Sequence, residues 1–236
     1  MTRAAGRHGE PAYVPAAGRV WLTGSYDRAV SLTMRERAWR PALVHAVSSD
    51  LPPRGTVVEV GCGTGSLTLA LAAERTDAHV VGVDPDRVVL ALARRKPGAA
   101  HVAWIEGFAQ SFLRPARSVD VVVCSLLLHH LRDDEKSVTL ARIAETLADG
   151  GALHVADWGP PRDPASAFGA RALKVLDGSA GPQSLLNGQL PNMLTAAGFT
   201  APRRRAALRT AWGTLELWRA QWPGPSRAPM SPPLAA

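Results

Sequence analysis

Cysteine is scarce: Cys62 and Cys124 are the only two in 236 residues. Two thiols do not make a disulfide framework. No apolar run approaches the roughly 20 residues that cross a bilayer as a helix. The opening stretch MTRAAGRHGEPAYVPAAG carries positive charge but no apolar core segment, so a secretory signal is not expected and a cytoplasmic location is the default. Internal repeats and a second domain are also lacking. Acidic residues are outnumbered, 20 against 27 Lys and Arg, for a net charge of +7. That balance invites a nucleic-acid reading. The charge, however, is nearly all arginine spread along the whole chain. The one dense run, Arg203, Arg204 and Arg205 with Arg209 beyond, would alternate faces on a strand and reads as a solvated edge.

At 46% hydrophobic residues, the chain can bury the core of one α/β domain. The stretch that organises it is Thr56 to Leu71, TVVEVGCGTGSLTLAL. Val57, Val58 and Val60 make a short β-branched run suited to a buried parallel strand. Gly61, Gly63 and Gly65 follow at alternate positions, then an apolar segment of helical period. Strand, glycine turn and helix form a nucleotide-binding βα unit, in which the glycines admit a ligand to the main chain and the helix N-terminus faces it. A dinucleotide fingerprint would place a third glycine where Ser66 stands. Glu59, two residues before the first glycine, is placed to receive a cationic ligand.

The run E-V-G-C-G-T-G resembles motif I of the class I S-adenosylmethionine-dependent methyltransferases. VDVVVCSLLLHHL (119–131) resembles motif IV of the small-molecule enzymes among them. SYDRAVSLTMRERAWRPAL resembles the N-terminal helices that cover the cofactor pocket in the branch typified by quinone biosynthesis. The resemblance implies an α/β fold: a Rossmann-like, seven-stranded, mostly parallel sheet with helices on both faces and a C-terminal antiparallel hairpin. It also implies a cofactor, S-adenosylmethionine, with S-adenosylhomocysteine as product. The matching cofactor positions are Tyr26, Arg40, Glu59, Gly61, Cys62, Gly63, Gly65, Asp84, Pro85, Gly107, Phe108, Ala109 and Cys124. Tyr26 would lie near the cofactor and Arg40 would meet its carboxylate. Asp84, about 20 residues past the glycines, would accept from ribose hydroxyls. Phe108 departs from the family, which commonly has aspartate there to read the adenine.

The alternation runs on along the chain. HVVGV (79–83) is expected as the second strand, Asp86 as the cap of a helix over 87–95, and HVAWIEG (101–107) as the third strand. Asp133 and Asp134 open a helix through Val138, Leu140, Ile143 and Leu147, with Gly150-Gly151 as its stop. ALHVADW (152–158) is strand five. Residues 159–188, rich in Pro, Gly and Ser around a helix over 165–176, break the alternation, and the resemblance implies that this insertion after strand five is a substrate lid. Residues 190–197 form a helix stopped by Gly198, and 201–209 with 213–221 form the closing hairpin. The methyltransferase domain spans 19–222; residues 1–18 and 223–236 are expected to be disordered tails.

Methyl transfer from a sulfonium is an in-line displacement, so alignment supplies much of the catalysis. A base is needed only where the acceptor arrives protonated. His129 and His130, leaving strand four, are the candidates for that role; His154, within a strand, is structural. Cys124-Ser125 stand where metal-dependent enzymes carry acids, so no metal is expected. The Asn/Asp-Pro-Pro-Tyr/Phe motif of amino-directed nucleic-acid methyltransferases is missing, and arsenite-type enzymes need more cysteines. The expected partner is a small organic acceptor, methylated at O, N or C, with neither nucleic acid nor a membrane span; the sequence says nothing of oligomeric state. The alternatives are an RNA methyltransferase and a non-catalytic S-adenosylmethionine-binding partner subunit.

Overall fold

The computed structural model describes residues 34–110, 116–177 and 181–224. Tyr26 and most of both expected tails lie outside the described residues. Seven strands form one sheet: β1 (Thr56–Val60), β2 (His79–Asp84), β3 (Val102–Glu106), β4 (Val119–Ser125), β5 (Leu147–Gly159), β6 (Thr200–Thr210) and β7 (Gly213–Gln221). Their order is β3-β2-β1-β4-β5-β7-β6. The first five strands run parallel, and β7 pairs antiparallel with both β5 and β6. This is the Rossmann-like architecture expected from the sequence. The order reverses between β1 and β4, and the carboxyl ends of the strands at such a switch point are the usual ligand site of these sheets.

The valine runs explain the sheet. Val57, Val121 and Val123 face the helices α1 (Glu36–Asp50) and α2 (Ser66–Glu74), with Trp39, Leu43, Leu67 and Leu71 packed on them. Val58, Val60, Val81 and Val122 face the other way, onto α4 (Asp133–Thr146) and α7 (Leu190–Ala196). Strands buried on both faces read as continuous apolar runs, which is how they stand in the sequence. Between β2 and β3 lies α3 (Arg87–Arg94), capped by Asp86, whose carboxylate accepts from Val88 N at 2.7 Å. After β5 come α5 (Pro164–Asp177) and the single turn α6 (Gln183–Leu186).

Two details differ from expectation. β5 begins at Leu147, directly after α4, so Gly150 and Gly151 do not stop the helix. They lie where the pairing of β4 with β5 shifts register between Val119 and Val121. On α4, Val138 is exposed, whereas Lys136 is fully buried. The Lys136 ammonium donates to Asp133 at 2.8 Å, to the Gly181 carbonyl at 2.6 Å and to Ser184 at 2.9 Å. Three donors on one nitrogen meet three oxygens, so the charge is satisfied without water. The arginines 203–205 lie exposed on edge strand β6, and Arg204 donates to Glu216 at 2.9 Å. Charged edges of this kind resist pairing with other chains.

Candidate active site

The glycine turn closes between β1 and α2. Gly61 N and Cys62 N both donate to the Val83 carbonyl, at 2.8 and 3.0 Å, which binds the turn to the end of β2. Gly65, at φ 75°, begins α2, and a Cβ there would come within 2.3 Å of the Trp104 ring. Only glycine fits both the left-handed backbone and that ring. Gly63, at φ 53°, is the opposite case: a Cβ there would meet nothing within 4 Å. The turn thus presents bare backbone to open space, as a site for a large ligand requires.

Asp84 ends β2 beside this turn and is only 8% exposed. One carboxylate oxygen accepts from Gly63 N at 2.8 Å and the other from Asp86 N at 2.9 Å. Burial pushes its carboxyl above the ordinary range, against those hydrogen bonds. Each oxygen keeps a second lone pair, and two ribose hydroxyls are the natural donors for them. Gly107 N donates to the Asp84 carbonyl at 3.1 Å, which brings half-buried Gly107 and Phe108 and buried Ala109 to the same end of the sheet. Pro85 stands half-buried between Asp84 and Asp86.

Glu59 points from β1 toward α1 and α2. It is 3% exposed, accepts from the Thr68 hydroxyl, and is pushed up to about 8 by burial. The Arg40 charge draws it down in part. Arg40 itself bonds Glu36 at 2.5 Å, while its Nε is buried with no partner among the described residues. The Arg40 charge is met by Glu36, but one guanidinium N–H and the largely neutral Glu59 carboxyl beside it leave hydrogen-bonding capacity for a ligand. An amino-acid zwitterion, such as the methionine end of S-adenosylmethionine, would take it up: a carboxylate for Arg40 and an ammonium for Glu59. The residues present therefore fit that cofactor.

Cys62 and Cys124 are both free and buried, and burial first, then nearby carboxylates, pushes both thiols far up. They are inert packing residues. Cys124 is sealed within the α4-side core, so only its backbone can face a ligand. Among the described residues no cluster of His, Cys, Asp or Glu is arranged to hold a metal ion.

After β4 the chain turns through Leu128–His130. His129 is buried and His130 exposed, their rings 4.0 Å apart. His129 Nδ1 lies 2.8 Å from an oxygen of Asp157, near the end of β5. Asp157 is fully buried and also accepts from the N–H groups of Leu128, His129 and Trp158. Burial alone would raise its carboxyl; the His129 charge and these hydrogen bonds outweigh that and hold it below the ordinary range. The result is a histidine fixed in orientation by a charged carboxylate. Asp157 was not picked out from the sequence. Its signal was an acid near the carboxyl end of a strand otherwise built for burial, ALHVADW. His154 is structural: its Nε2 lies 2.8 Å from Asp50 at the end of α1.

Residues 57–151 match the family model for a methyltransferase domain. An uncharacterized methyltransferase of Bacillus mycoides is 40% identical over 104 residues, which cover 44% of this chain and 47% of the relative. The chain thus matches about half the length of the curated relatives. Among solved structures, the N-methyltransferase NodS of Bradyrhizobium japonicum, in complex with S-adenosylhomocysteine, aligns at a TM-score of 0.60 with 18% identity, covering 80% of this chain and 87% of that one. Human N-acetylserotonin methyltransferase, in complex with S-adenosylmethionine, aligns at 0.61 with 17% identity, covering 86% and 55%. At such identities the likeness is one of fold.

Proposed function

We propose that this chain, which carries a methyltransferase domain at residues 57–151 and resembles the class I enzymes, transfers a methyl group from S-adenosylmethionine to a small organic molecule. The observation that carries the reading is Asp84 tied to Gly63 N at 2.8 Å, beside backbone open to a ligand. When bound, the cofactor supplies an electrophilic methyl group on a positively charged sulfur. The protein's own residues do the rest. Asp84 holds the ribose, Arg40 and Glu59 hold the amino-acid end, and Phe108 offers an apolar surface to the adenine. His129, oriented by Asp157, accepts a proton from a substrate that arrives protonated.

The reading of the substrate as a small molecule is supported at the carboxyl end of β5, where Trp158 is buried against Ala170 of α5 and Leu186 of α6. The RNA alternative draws only on net charge, and Arg204, within the densest basic run, is engaged with Glu216. Titration calorimetry of the full chain with S-adenosylmethionine tests the cofactor. Asp84→Ala is expected to weaken binding by about 1.5–3 kcal/mol, the range for hydrogen bonds to a charged group. Unchanged affinity in a folded variant would remove Asp84 from the site. Retention of RNA that falls steeply with salt would favour the alternative.

A further inference from the structure

Trp158 stands next to Asp157 on β5 and is 2% exposed. Its ring meets His129 edge-on, with centroids 6.0 Å apart. Its indole Nε1 is buried with no hydrogen-bond partner among the described residues. A buried indole N–H ordinarily finds an acceptor, and a buried donor left unmet is destabilising. Nothing in the fold requires a tryptophan here for that N–H, since a phenylalanine would fill an apolar site without the cost.

The surroundings say what is missing. Trp158 packs with Met34, Ala170 and Leu186, and with half-buried Leu126 and Trp212 at the margin. Ala170 and Leu186 also line an open cleft of about 200 Å³ between α5 and α6, with Pro161, Ala167 and the polar Arg171, Gln183 and Asn187. Ala170 and Leu186 thus stand between the Trp158 cluster and that cleft, belonging to both. A space of that size suits a molecule of about one ring, with polar side chains at hand beside the apolar ones.

We infer that the methyl acceptor is a small, largely apolar molecule carrying a hydroxyl or carbonyl oxygen, and that Trp158 Nε1–H binds this oxygen beside His129. The inference rests on the methyltransferase reading and narrows its substrate. The apolar body takes the place of Leu186 against Ala170, and the oxygen takes the hydrogen bond that Trp158 cannot make within the protein. Trp158 thereby sets specificity: a molecule of the same shape without the oxygen leaves the donor unmet.

The test uses the full chain saturated with S-adenosylhomocysteine and two probes of nearly equal shape, phenol and toluene. Indole N–H resonances of the ¹⁵N-labelled protein are followed during titration. Trp158 is identified by its loss in Trp158→Phe or, should that variant not fold, by sequential assignment in the native protein. Phenol is expected to bind about tenfold more tightly than toluene, a ratio one neutral hydrogen bond supplies, and to shift the Trp158 resonance downfield. Trp158→Phe should bring phenol to the level of toluene and leave S-adenosylhomocysteine affinity unchanged. Equal binding of the two probes, binding of neither, an unmoved Trp158 resonance, or a preference that survives Trp158→Phe each overturns the inference. Failure of the native chain to bind S-adenosylhomocysteine is a separate result, which removes the methyltransferase reading and this inference with it.

Discussion

Glu59 lies under the glycine turn with its carboxyl pushed up to about 8 by burial, so near neutrality the empty site holds it largely protonated. A cation delivered beside it favours the ionised form. Binding of S-adenosylmethionine near pH 7 is therefore expected to release a proton, and the release should shrink as pH rises past about 8. Calorimetry in buffers of differing ionisation enthalpy reads this directly, and Glu59→Gln should abolish it. Proton uptake, or release that persists in the variant, would place the cation elsewhere. Asp157 makes a different prediction at the same scale. Asp157→Asn leaves the turn carrying His129 with a neutral partner of the same shape. For a substrate that must lose a proton, kcat is expected to fall about 10²–10⁴-fold, the contribution of general-base catalysis, with cofactor affinity retained. A matching loss of cofactor affinity would instead mean that Asp157 only holds the fold.

Elements were legible where a local pattern decides them. Val57 to Val60 and the glycines at 61, 63 and 65 announce strand, turn and helix within sixteen letters, because burial on both faces and positive φ each demand particular residues. What the pattern does not carry is pairing at a distance. Lys136 stands unmarked in its helix sequence, and two of its three partners lie 45 and 48 residues further on. Asp157 answers a histidine 28 residues earlier, and nothing between them signals it. The Lys136 contacts also bear on the segment expected as a lid, since they fasten its last part, Gly181 and Ser184, to the start of α4. A Cβ on Gly181 would fall within 2.1 Å of the His129 carbonyl, so this part sits close against the turn carrying the candidate base. Lys136→Met is expected to cost about 1.5–3 kcal/mol in lost charged hydrogen bonds and to bring the first proteolytic cuts into residues 181–188. Unchanged cleavage with native stability would show that the latch contributes nothing to holding that segment.

For the whole molecule, buried and half-buried acids of opposite behaviour set how stability follows pH. Asp50 at the end of α1 accepts from Arg219 at 2.6 and 3.0 Å and meets His154 at 2.8 Å, joining α1 to β5 and β7. Burial alone would raise its carboxyl, but those hydrogen bonds outweigh it and hold Asp50 well below the ordinary range. Its contribution is complete above the unfolded value of about 3.9 and is lost as pH falls through the folded one. Asp157 has the same sign. Glu59 has the other: its folded value of about 8 lies above the unfolded value of 4.5, so its contribution is complete below the latter and is lost as pH rises toward the former. Asp84, also raised by burial, adds in the same direction. The cofactor-free protein is therefore expected to melt highest in mildly acidic solution, with Tm declining from about pH 5 to about pH 8. Glu59→Gln should flatten that decline. Saturating S-adenosylmethionine should flatten it too, because a bound cation keeps Glu59 ionised at little cost. Asp50→Asn should lower Tm across the neutral range, with the deficit shrinking below about pH 4. A native profile already flat between pH 5 and 8, or a Glu59→Gln profile as steep as the native one, would mean that Glu59 is ionised in the empty site and that the glycine turn closes over a charge already neutralised within the protein.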